Sequence, residues 1–454
     1  MKSNYSRAVR LLLAISLVAS LLGAPTAVAG SCGWDQWAGW VARENARVGD
    51  SNWASGVPMR FGGDFSRRRE VARVEGYFDR TSVGCGQKAS LTIVGPQMVD
   101  ILIYRIGYYK GAGARLVVSI KSATAFTPNA KTPPGQYLIK LISPGHSSTF
   151  IPIVVRSTLK RSDVTFVSSV LTWQSYNQWG GASLHKGADG THGTRAESVS
   201  FDRPFDGDGA GQFRYMQQPL VQMMEQLGLD INYLTDIDVD EQPKIVSASL
   251  VFAGNSKYWT QSMRTTIEGA VNSGVNLLTF GASTGFAKID LNGRVLSNRI
   301  PWRTSGNPES LLFGSQFFSL GIRKDLEVQA DTRWPFKVLG KAAKIKGIYG
   351  YEADTAMGTI GPGIEILARA TISPTEKGWV AMSTYYSAAS GAGILNIGTN
   401  GWVCGLANRC PWAHRFDTAT QDQIRLVTEA ILKAAKRPQI GKWRMAQIDI
   451  PTRL

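Results

Sequence analysis

The chain has 454 residues, of which 50 are Lys or Arg and 34 are Asp or Glu, so its formal net charge at pH 7 is +16. Its hydrophobic fraction of 43% is typical of a globular protein, and its length predicts two or three domains. The basic residues nowhere form a block of five or six, which argues against a nucleic-acid-binding arm. Positive charge that is spread over the surface favours an acidic polymer as a partner. An unidentified small-molecule ligand is the other partner expected.

The first 29 residues have the features of a secretory signal peptide. Lys2, Arg7 and Arg10 precede the apolar run 11–22, and the small-x-small pattern of a signal-peptidase site ends at Ala29. We therefore expect a secreted or cell-surface protein that begins at the next residue after cleavage. An uncleaved anchor helix is the alternative, although the apolar run is shorter than the roughly 20 residues that a spanning helix needs. No later stretch reaches 18 apolar residues, so no other membrane span is expected.

Four cysteines follow the signal peptide, and an even number in an exported chain predicts disulfides. We expect one bond between Cys404 and Cys410 and another between Cys32 and Cys85, although the sequence alone permits three pairings. The four histidines lack the spacing of zinc ligands, so a zinc site is disfavoured.

After an extension (30–70), residues 71–157 are predicted to form an all-β domain. Its apolar runs are short, rich in β-branched residues and separated by Gly-Pro turns. They lie at 91–94, 101–104, 116–118, 137–142 and 150–155. Strands at this spacing indicate an immunoglobulin-like β-sandwich. Such a domain is expected to bind a ligand or to have a structural role rather than a catalytic one.

In the next segment (160–436), strand patterns alternate with helix patterns, which predicts an α/β domain with a parallel sheet covered by helices. The predicted strands are 164–167, 231–234, 250–253, 275–280 and 393–398, and the predicted helices are 212–227, 259–273 and 418–435. Pro219 either kinks the first helix or marks its true start. A short basic tail (437–454) follows.

Ligands of open α/β sheets bind beyond the carboxyl ends of the strands, so the site is expected in the segments that follow them. Those segments are 171–181, 235–241, 254–259, 281–286 and 399–402. The candidate ligand-binding residues there are Trp173, Trp179, Asp236, Asn255, Tyr258 and Trp259, and the candidate catalytic residues are Tyr176, Asn177, Lys257 and Ser283. For any one of them the alternative is a purely structural role, since aromatic rings also pack and glycines also turn.

Several of these segments carry a resemblance to a known family. The matching motifs are Trp-Gln-Ser-Tyr-Asn-Gln-Trp-Gly-Gly at 173–181, Val-Ser-Phe-Asp-Arg-Pro at 199–204, Tyr-Leu-Thr-Asp at 233–236, Gly-Asn-Ser-Lys-Tyr-Trp at 254–259 and Gly-Val-Asn-Leu at 274–277. They resemble the carboxyl-terminal domain of the large (β) subunit of N,N-dimethylformamidase. Upstream motifs at 76–77, 104–109 and 111–115 extend the resemblance, which runs from about residue 40 to residue 435.

The resemblance implies a three-layer α/β domain of glutamine-amidotransferase-like architecture. It also implies a single iron that is held by two tyrosines and a glutamate and that acts on an amide carbonyl or on water. Tyr176 matches one tyrosine, and Tyr215 is a candidate for the second. The resemblance fails at the glutamate, because relatives that resemble the enzyme read Gly-His-(Ser/Asp)-Glu-Tyr-Trp where this chain has Asn255 for the histidine and Lys257 for the glutamate.

The lysine replaces an anionic ligand by a cation, whose repulsion of a unit charge 4 Å away is about 4 kcal/mol at an effective dielectric near 20. We therefore expect no iron in the family's manner, and no cofactor unless the site is rebuilt. Lys257 is expected near the first turn of the helix 259–273, where a cation is unfavourable, so it either faces an anionic ligand or points to solvent.

A different active site is possible at Ser283, because Gly-Ala-Ser-Thr-Gly at 281–285 fits the G-x-S-x-G nucleophile elbow. Residues 288–293 are expected to form a loop rather than the usual helix. A triad would need Asp354 or Asp290 together with His414.

Glu352 and Asp354 are two residues apart on a segment predicted to be extended, so their side chains can lie on one face. There they could act as a general base or as ligands of a cation. The alternative is that both belong to a solvated or salt-bridged strand edge.

The sequence thus predicts an exported relative of amidohydrolases, with a degenerate iron site, that binds a ligand or serves a structural role. The alternatives are an active secreted hydrolase of amide C–N bonds or a serine hydrolase that uses Ser283.

Overall fold

The computed structural model describes residues 32–34, 38–62, 72–96, 98–157, 162–329, 333–356, 360–371, 380–412 and 415–452. The strands are β1 (Glu75–Phe78), β2 (Ser82–Val83), β3 (Ala89–Val94), β4 (Asp100–Ile106), β5 (Ala114–Ile120), β6 (Ala125–Phe126), β7 (Gly135–Ile142), β8 (Thr149–Val155), β9 (Val164–Ser168), β10 (Ser198–Ser200), β11 (Ile231–Thr235), β12 (Ser249–Ala253), β13 (Tyr258–Trp259), β14 (Asn276–Phe280), β15 (Ala287–Asn292), β16 (Val295–Pro301), β17 (Gln316–Val328), β18 (Lys344–Thr355), β19 (Glu365–Thr371), β20 (Val380–Ser387) and β21 (Gly393–Asn396). The helices are α1 (Trp40–Asn45), α2 (Val170–Tyr176), α3 (Gly211–Met216), α4 (Gln218–Gln226), α5 (Asp236–Asp240), α6 (Gln261–Asn272), α7 (Ser310–Phe313), α8 (Gly401–Leu406), α9 (Thr418–Ala435) and α10 (Ile440–Trp443), with 3₁₀ turns at Tyr109–Gly111, Trp302–Ser305 and Phe336–Leu339. The predicted signal peptide (1–29) lies outside the described residues.

Two sheets near the amino terminus enclose a core of their own. One has the order β1-β3-β6 and the other the order β2-β8-β7-β4-β5. Side chains alternate along the strands of the larger sheet, so Ile101 and Ile139 face this core while Tyr104 and Leu138 belong to the core of the following part of the chain. All five β runs expected between residues 91 and 155 are confirmed as strands.

The second part is built on a nine-stranded sheet of order β11-β9-β12-β14-β21-β20-β19-β17-β18. Strands β11, β9, β12, β14 and β21 are parallel, and β20, β19, β17 and β18 continue the sheet in antiparallel fashion. The five predicted strands of the parallel half are confirmed. Their residues are almost all buried, as expected for parallel strands that are covered on both faces.

One predicted loop is wrong. Residues 288–293 lie in β15 and the turn to β16, an antiparallel hairpin within a four-stranded sheet of order β10-β16-β15-β13. The sequence signal for this strand is the alternation of apolar and charged residues from Ala287 to Asp290. In the structure Ala287 and Ile289 are buried, and Lys288 and Asp290 are partly exposed.

Two predicted helices have different bounds. The helix expected over residues 212–227 is two helices, α3 and α4, separated at Gln217, whose φ of −132° is not helical. Pro219 lies in the first turn of α4, so of the two alternatives for this proline it marks the start of a helix.

Helix α6 begins at Gln261 after the N-cap Thr260, so Lys257 is outside its first turn and the helix-dipole argument does not apply to it. The helix expected over residues 418–435 is confirmed.

Both expected disulfides are present. Cys32 is bonded to Cys85 with a Cα–Cα distance of 5.3 Å, and Cys404 to Cys410 with 4.8 Å. The first bond ties the amino-terminal segment to the turn between β2 and β3. Among the described residues, we find no helix with the length and apolar character that crossing a bilayer requires.

A buried ion pair joins the two parts of the fold. Arg105 on β4 contacts both carboxylate oxygens of Glu225 on α4 at 2.9 and 2.5 Å, and both side chains are fully buried. The same carboxylate accepts hydrogen bonds from the hydroxyl of Tyr233 on β11 and from the amide of Asn45 on α1. The pair therefore links the amino-terminal helix, the sandwich and the parallel sheet.

Removing one partner of this pair should be costly, because it leaves a buried charge without compensation. We expect Glu225→Gln to lower the free energy of unfolding by about 3–5 kcal/mol, as measured by urea denaturation. The double variant Arg105→Met/Glu225→Leu should lose less. Glu327→Gln, which removes a partner of the exposed Lys344, is the matched control and should change little. Equal losses for Glu225→Gln and the control would contradict this account.

Candidate functional site

The five segments expected to form the site follow β9, β11, β12, β14 and β21, whose carboxyl ends lie at one edge of the sheet. Side chains connect neighbouring segments. Asp236 accepts a hydrogen bond from the backbone N–H of Leu171 at 2.9 Å, and the hydroxyl of Thr172 accepts one from the N–H of Lys257 at 2.9 Å. The structure thus brings these segments together.

Lys257 lies at the centre of a buried polar cluster at this edge. Its Nζ donates to Oε1 of Glu352 at 2.5 Å and to the hydroxyl of Tyr176 at 3.1 Å. The side chains of Lys257 and Glu352 are only 6% and 3% exposed. The expectation that Lys257 points to solvent is therefore wrong: its partner is a carboxylate that β18 brings in from 95 residues away.

The other oxygen of Glu352 contacts the predicted elbow. Ser283 donates its hydroxyl hydrogen to Oε2 at 2.6 Å, and the side-chain amide of Asn400 donates to the same oxygen at 3.0 Å. Two residues along β18, Asp354 accepts a hydrogen bond from the backbone N–H of Ser283 at 2.9 Å. Glu352 and Asp354 therefore both contact the Ser283 turn, as their alternation on an extended strand allows.

The electrostatics keep the lysine charged and the tyrosine neutral. Burial works to lower the pKa of Lys257, but the Glu352 carboxylate outweighs it and the pKa lies above its ordinary value. Burial, with Tyr258 and Glu352 beside it, holds the pKa of Tyr176 well above 10. The cluster is thus an ammonium, a carboxylate and a protonated phenol.

The exposed end of the cluster is formed by rings and one arginine. Tyr258 stacks on Tyr176 with ring centroids 5.8 Å apart, and Arg299 on β16 donates to the Tyr258 hydroxyl at 3.3 Å. His185 lies against Tyr176 at 4.5 Å, and burial together with the charge of Lys257 lowers its pKa to about 3, so it is neutral at physiological pH. The sequence analysis missed His185 and Arg299, for which no motif gave a signal.

Four of the predicted residues have roles elsewhere in the structure. Asn177 accepts hydrogen bonds from the N–H groups of Trp179 and Asp206 and so holds the loop after α2. The Trp179 indole donates to Glu75 of the sandwich at 3.1 Å. Trp173 packs on two phenylalanine rings and lines a small half-open cavity, and Trp259 packs in the core.

Two further predicted residues are buried polar groups with an unused oxygen. Oδ1 of Asn255 and Oδ1 of Asp236 have no hydrogen-bond partner among the described residues, and the same holds for the hydroxyl of Thr284. Burial raises the pKa of Asp236 well above its ordinary value. Buried polar atoms without a partner are costly, and Asn255 and Thr284 are therefore groups that a bound ligand can satisfy.

The predicted triad is not assembled as expected. Asp354 contacts the backbone of Ser283 rather than its hydroxyl, and Asp290 pairs with Lys288 and Asn298 on the β15–β16 hairpin. His414 lies outside the described residues.

The residues do not fit the iron that the resemblance implies. The phenol oxygen of Tyr176, the one matched ligand, accepts a hydrogen bond from the Lys257 ammonium, which also neutralises the neighbouring carboxylate. A metal beside these oxygens would meet that ammonium at a cost of about 4 kcal/mol per unit charge at 4 Å. Tyr215, the candidate second tyrosine, instead packs on Phe61 and donates to the carbonyl of Met59. The described residues contain no group of three or more His, Cys, Asp or Glu side chains that could hold a metal ion.

The fold and the Lys257 cluster define a mixed α/β protein with a buried polar site at the carboxyl ends of its parallel strands. The family model described as N,N-dimethylformamidase beta subunit-like, C-terminal, matches residues 120–413, and the chain belongs to this family. The resemblance found in the sequence is thereby confirmed, and the chain is a relative of hydrolases. The matched residues include the whole Lys257 cluster. A comparison with curated proteins finds no match.

The buried Asp354 makes stability depend on pH. Burial, with Glu309 and Glu352 nearby, raises its pKa from 3.8 to about 7, so between these values the folded state holds a proton that the unfolded state releases. The contribution of Asp354 to the free energy of unfolding is present in full below pH 3.8. It is lost as the pH rises towards 7, by at most about 1.4 kcal/mol per pH unit.

Asp354→Asn should remove this loss. We expect the unfolding free energy of the variant, relative to the parent protein, to rise across that pH range in urea titrations. Asp290→Asn, at a partly exposed carboxylate, is the control and should show no such trend. A difference between Asp354→Asn and the parent that stays constant with pH would refute the assignment.

Proposed function

We propose that this protein is an iron-independent member of its family whose buried Lys257 cluster binds a small polar ligand, with the ammonium of Lys257 in the role of the family's cation. The observation that carries the proposal is the position of Lys257 Nζ, within hydrogen-bond reach of both Tyr176 and Glu352. A fixed ammonium neutralises the carboxylate as a metal would, without requiring a metal.

The groups around the cluster favour a ligand with carbonyl or carboxylate oxygens. Arg299 is a partly exposed cation at its outer end, and Lys257 is a permanent cation within it. Asn255 and Thr284 offer buried oxygens that have no partner in the part of the chain the structure describes, and a hydroxyl or amide N–H of the ligand would be suitable for them. This combination suits a small polar acid or amide.

The metal content of the purified protein tests the proposal. We expect the parent protein to contain no stoichiometric iron by elemental analysis, and its melting temperature to be unaffected by Fe(II). In Lys257→Glu, two carboxylates and a phenol would face each other without the ammonium, so this variant should bind a divalent cation and be stabilised by it. Lys288→Glu, at a partly exposed lysine, is the matched control.

Stoichiometric iron in the parent protein would overturn the proposal. Absence of metal binding by folded Lys257→Glu would show that position 257 is not a replaced ligand. Circular dichroism establishes the folding of the variant, and Lys257→Met serves as a second variant, which should lose stability because Glu352 is left unpaired.

We also propose that the protein is exported, and that its spread positive charge attracts an acidic polymer outside the cell. Two disulfides support export, because such bonds persist in oxidising compartments. Amino-terminal sequencing of the protein produced from the full chain should find a start at Gly30. Ala27→Arg, which disrupts the predicted signal-peptidase site, should prevent this cleavage. Recovery of an uncleaved parent chain, or no change in processing in Ala27→Arg, would contradict the proposed export.

The finer fold assignments belong to the same proposal. The five adjacent parallel strands with α2 and α5 at their ends support a glutamine-amidotransferase-like domain, and the two facing sheets near the amino terminus support an immunoglobulin-like sandwich.

A further inference from the structure

Ser283 has a backbone conformation that few side chains adopt. Its φ is +59°, in the left-handed region, which costs a residue with a Cβ roughly 1–2 kcal/mol. It follows the buried strand β14 directly after Gly281 and Ala282. Strain of this kind persists only where the surroundings enforce it, and it is concentrated at functional sites.

The glycines on either side meet the steric demands of a tight elbow. A Cβ on Gly281 would lie 1.9 Å from the carbonyl oxygen of Gly254, and a Cβ on Gly285, whose φ is +63°, would lie 3.1 Å from the Trp259 ring. Both positions of the G-x-S-x-G pattern are thus explained by close approach, as the nucleophile elbow requires.

Three neighbouring segments hold the turn in place. The N–H of Ala282 donates to Asn400, the N–H of Ser283 to Asp354, and the N–H of Gly285 to the carbonyl of Ser256, each at 2.9 Å. The strained conformation is therefore fixed by hydrogen bonds to elements that come from distant parts of the chain.

The hydroxyl that this turn presents already has a base. Ser283 Oγ lies 2.6 Å from Oε2 of Glu352, a distance within the range for a general base and its proton donor. The carboxylate itself is oriented by Lys257 on one oxygen and by Asn400 on the other. Nucleophile, base and orienting groups thus form one connected set.

We propose that Ser283 is a nucleophile and Glu352 its general base, and that together they cleave a small ester or amide through a serine-bound acyl intermediate. This inference rests on the proposed function, because it requires that the ammonium of Lys257, and not a metal, orients Glu352. It replaces the histidine of the expected triad by a carboxylate.

The reaction balances without a cofactor. Ser283 Oγ bonds to the substrate carbonyl carbon while its proton passes to Glu352 Oε2, and the bond to the leaving alcohol or amine then breaks as that group takes the proton. Water next attacks the acyl-serine, gives a proton to Glu352, and releases the carboxylic acid as the proton returns to Ser283 Oγ.

The surroundings of the turn supply polar groups for the substrate. In elbows of this pattern, the N–H of the residue after the nucleophile, here Thr284, helps to bind the oxyanion. Asn255 lies between Gly254 and Ser256, the two residues that contact the turn. Its side-chain oxygen has no partner among the described residues and can accept a hydrogen bond from a hydroxyl or N–H of the substrate. Ser283 is 1% exposed, and the end of the cluster that reaches solvent is formed by Tyr176, His185 and Arg299, so small substrates are expected.

Covalent labelling of the processed full-length protein tests the assignment. We expect diisopropyl fluorophosphate to add one phosphoryl group per chain, located by peptide mapping at Ser283, and p-nitrophenyl acetate to be hydrolysed. Ser283→Ala should lose both reactions. Glu352→Gln should slow hydrolysis by about 10²–10⁴-fold, the usual contribution of a general base.

Two further variants keep the test sharp. Ser273→Ala removes an exposed serine at the end of α6 and should retain labelling and turnover. Ser283→Cys introduces a thiol into a protein with no free cysteine among its described residues, and iodoacetamide should label it there, which reports on access even if Ser283→Ala fails to fold.

A folded parent protein that is not labelled, or a label that persists at another residue in Ser283→Ala, would overturn the assignment. These outcomes are separate from the metal test. If the protein is iron-free but is not labelled, only the assignment of Ser283 as the nucleophile is wrong. If the protein contains stoichiometric iron, the proposed function itself is wrong.

Discussion

Charges removed from water must be paired, and this constraint determines how the parts of the molecule fit together. At the junction of the sandwich and the nine-stranded sheet, Arg105 and Glu225 meet with both side chains fully buried. At the edge of the same sheet, Lys257 and Glu352 do so. Each pair joins elements that are far apart in the sequence, by 120 and 95 residues, so each fixes a long-range arrangement that apolar packing alone leaves less specific. The site is therefore part of the framework that holds the antiparallel strands against the parallel ones.

The parallel half of the sheet could be predicted because its strands are buried on both faces and read as continuous apolar runs, such as that of β12. The long helix α9 could be predicted because its apolar residues repeat at helical spacing. The antiparallel strands β17 and β18 gave no comparable signal. Their register shifts repeatedly, and glycines and charged residues interrupt β18, so neither period is sustained. Pro219 left two alternatives for the helix expected over 212–227, a kink or a new start, and the local pattern did not decide between them.

For the candidate site, the sequence singled out the segments that the structure brings together at the carboxyl ends of the parallel strands, and Lys257 among them. It could not give the partner of that residue, because Glu352 lies 95 positions away on a strand whose place in the sheet was not predicted. Of the aromatic residues predicted for the site, Tyr176 and Tyr258 are in the cluster, whereas the tryptophans pack against phenylalanines or the sandwich. Residue type identifies candidates, but the direction of each side chain is decided by tertiary packing.

The two oxygens of Glu352 couple the features that distinguish this chain from the pattern its family resemblance implies. One oxygen is held by the ammonium that stands where a carboxylate is expected, and the other accepts the hydrogen of a serine on a strained turn. If Lys257 were a glutamate, two adjacent carboxylates would repel each other unless a cation lay between them, and Glu352 would then be committed to that cation. With a lysine, the carboxylate is oriented and still has an oxygen free to accept a proton. Lys257 and Ser283 thus contact the two oxygens of one carboxylate, which is why the lysine and the serine are best understood together.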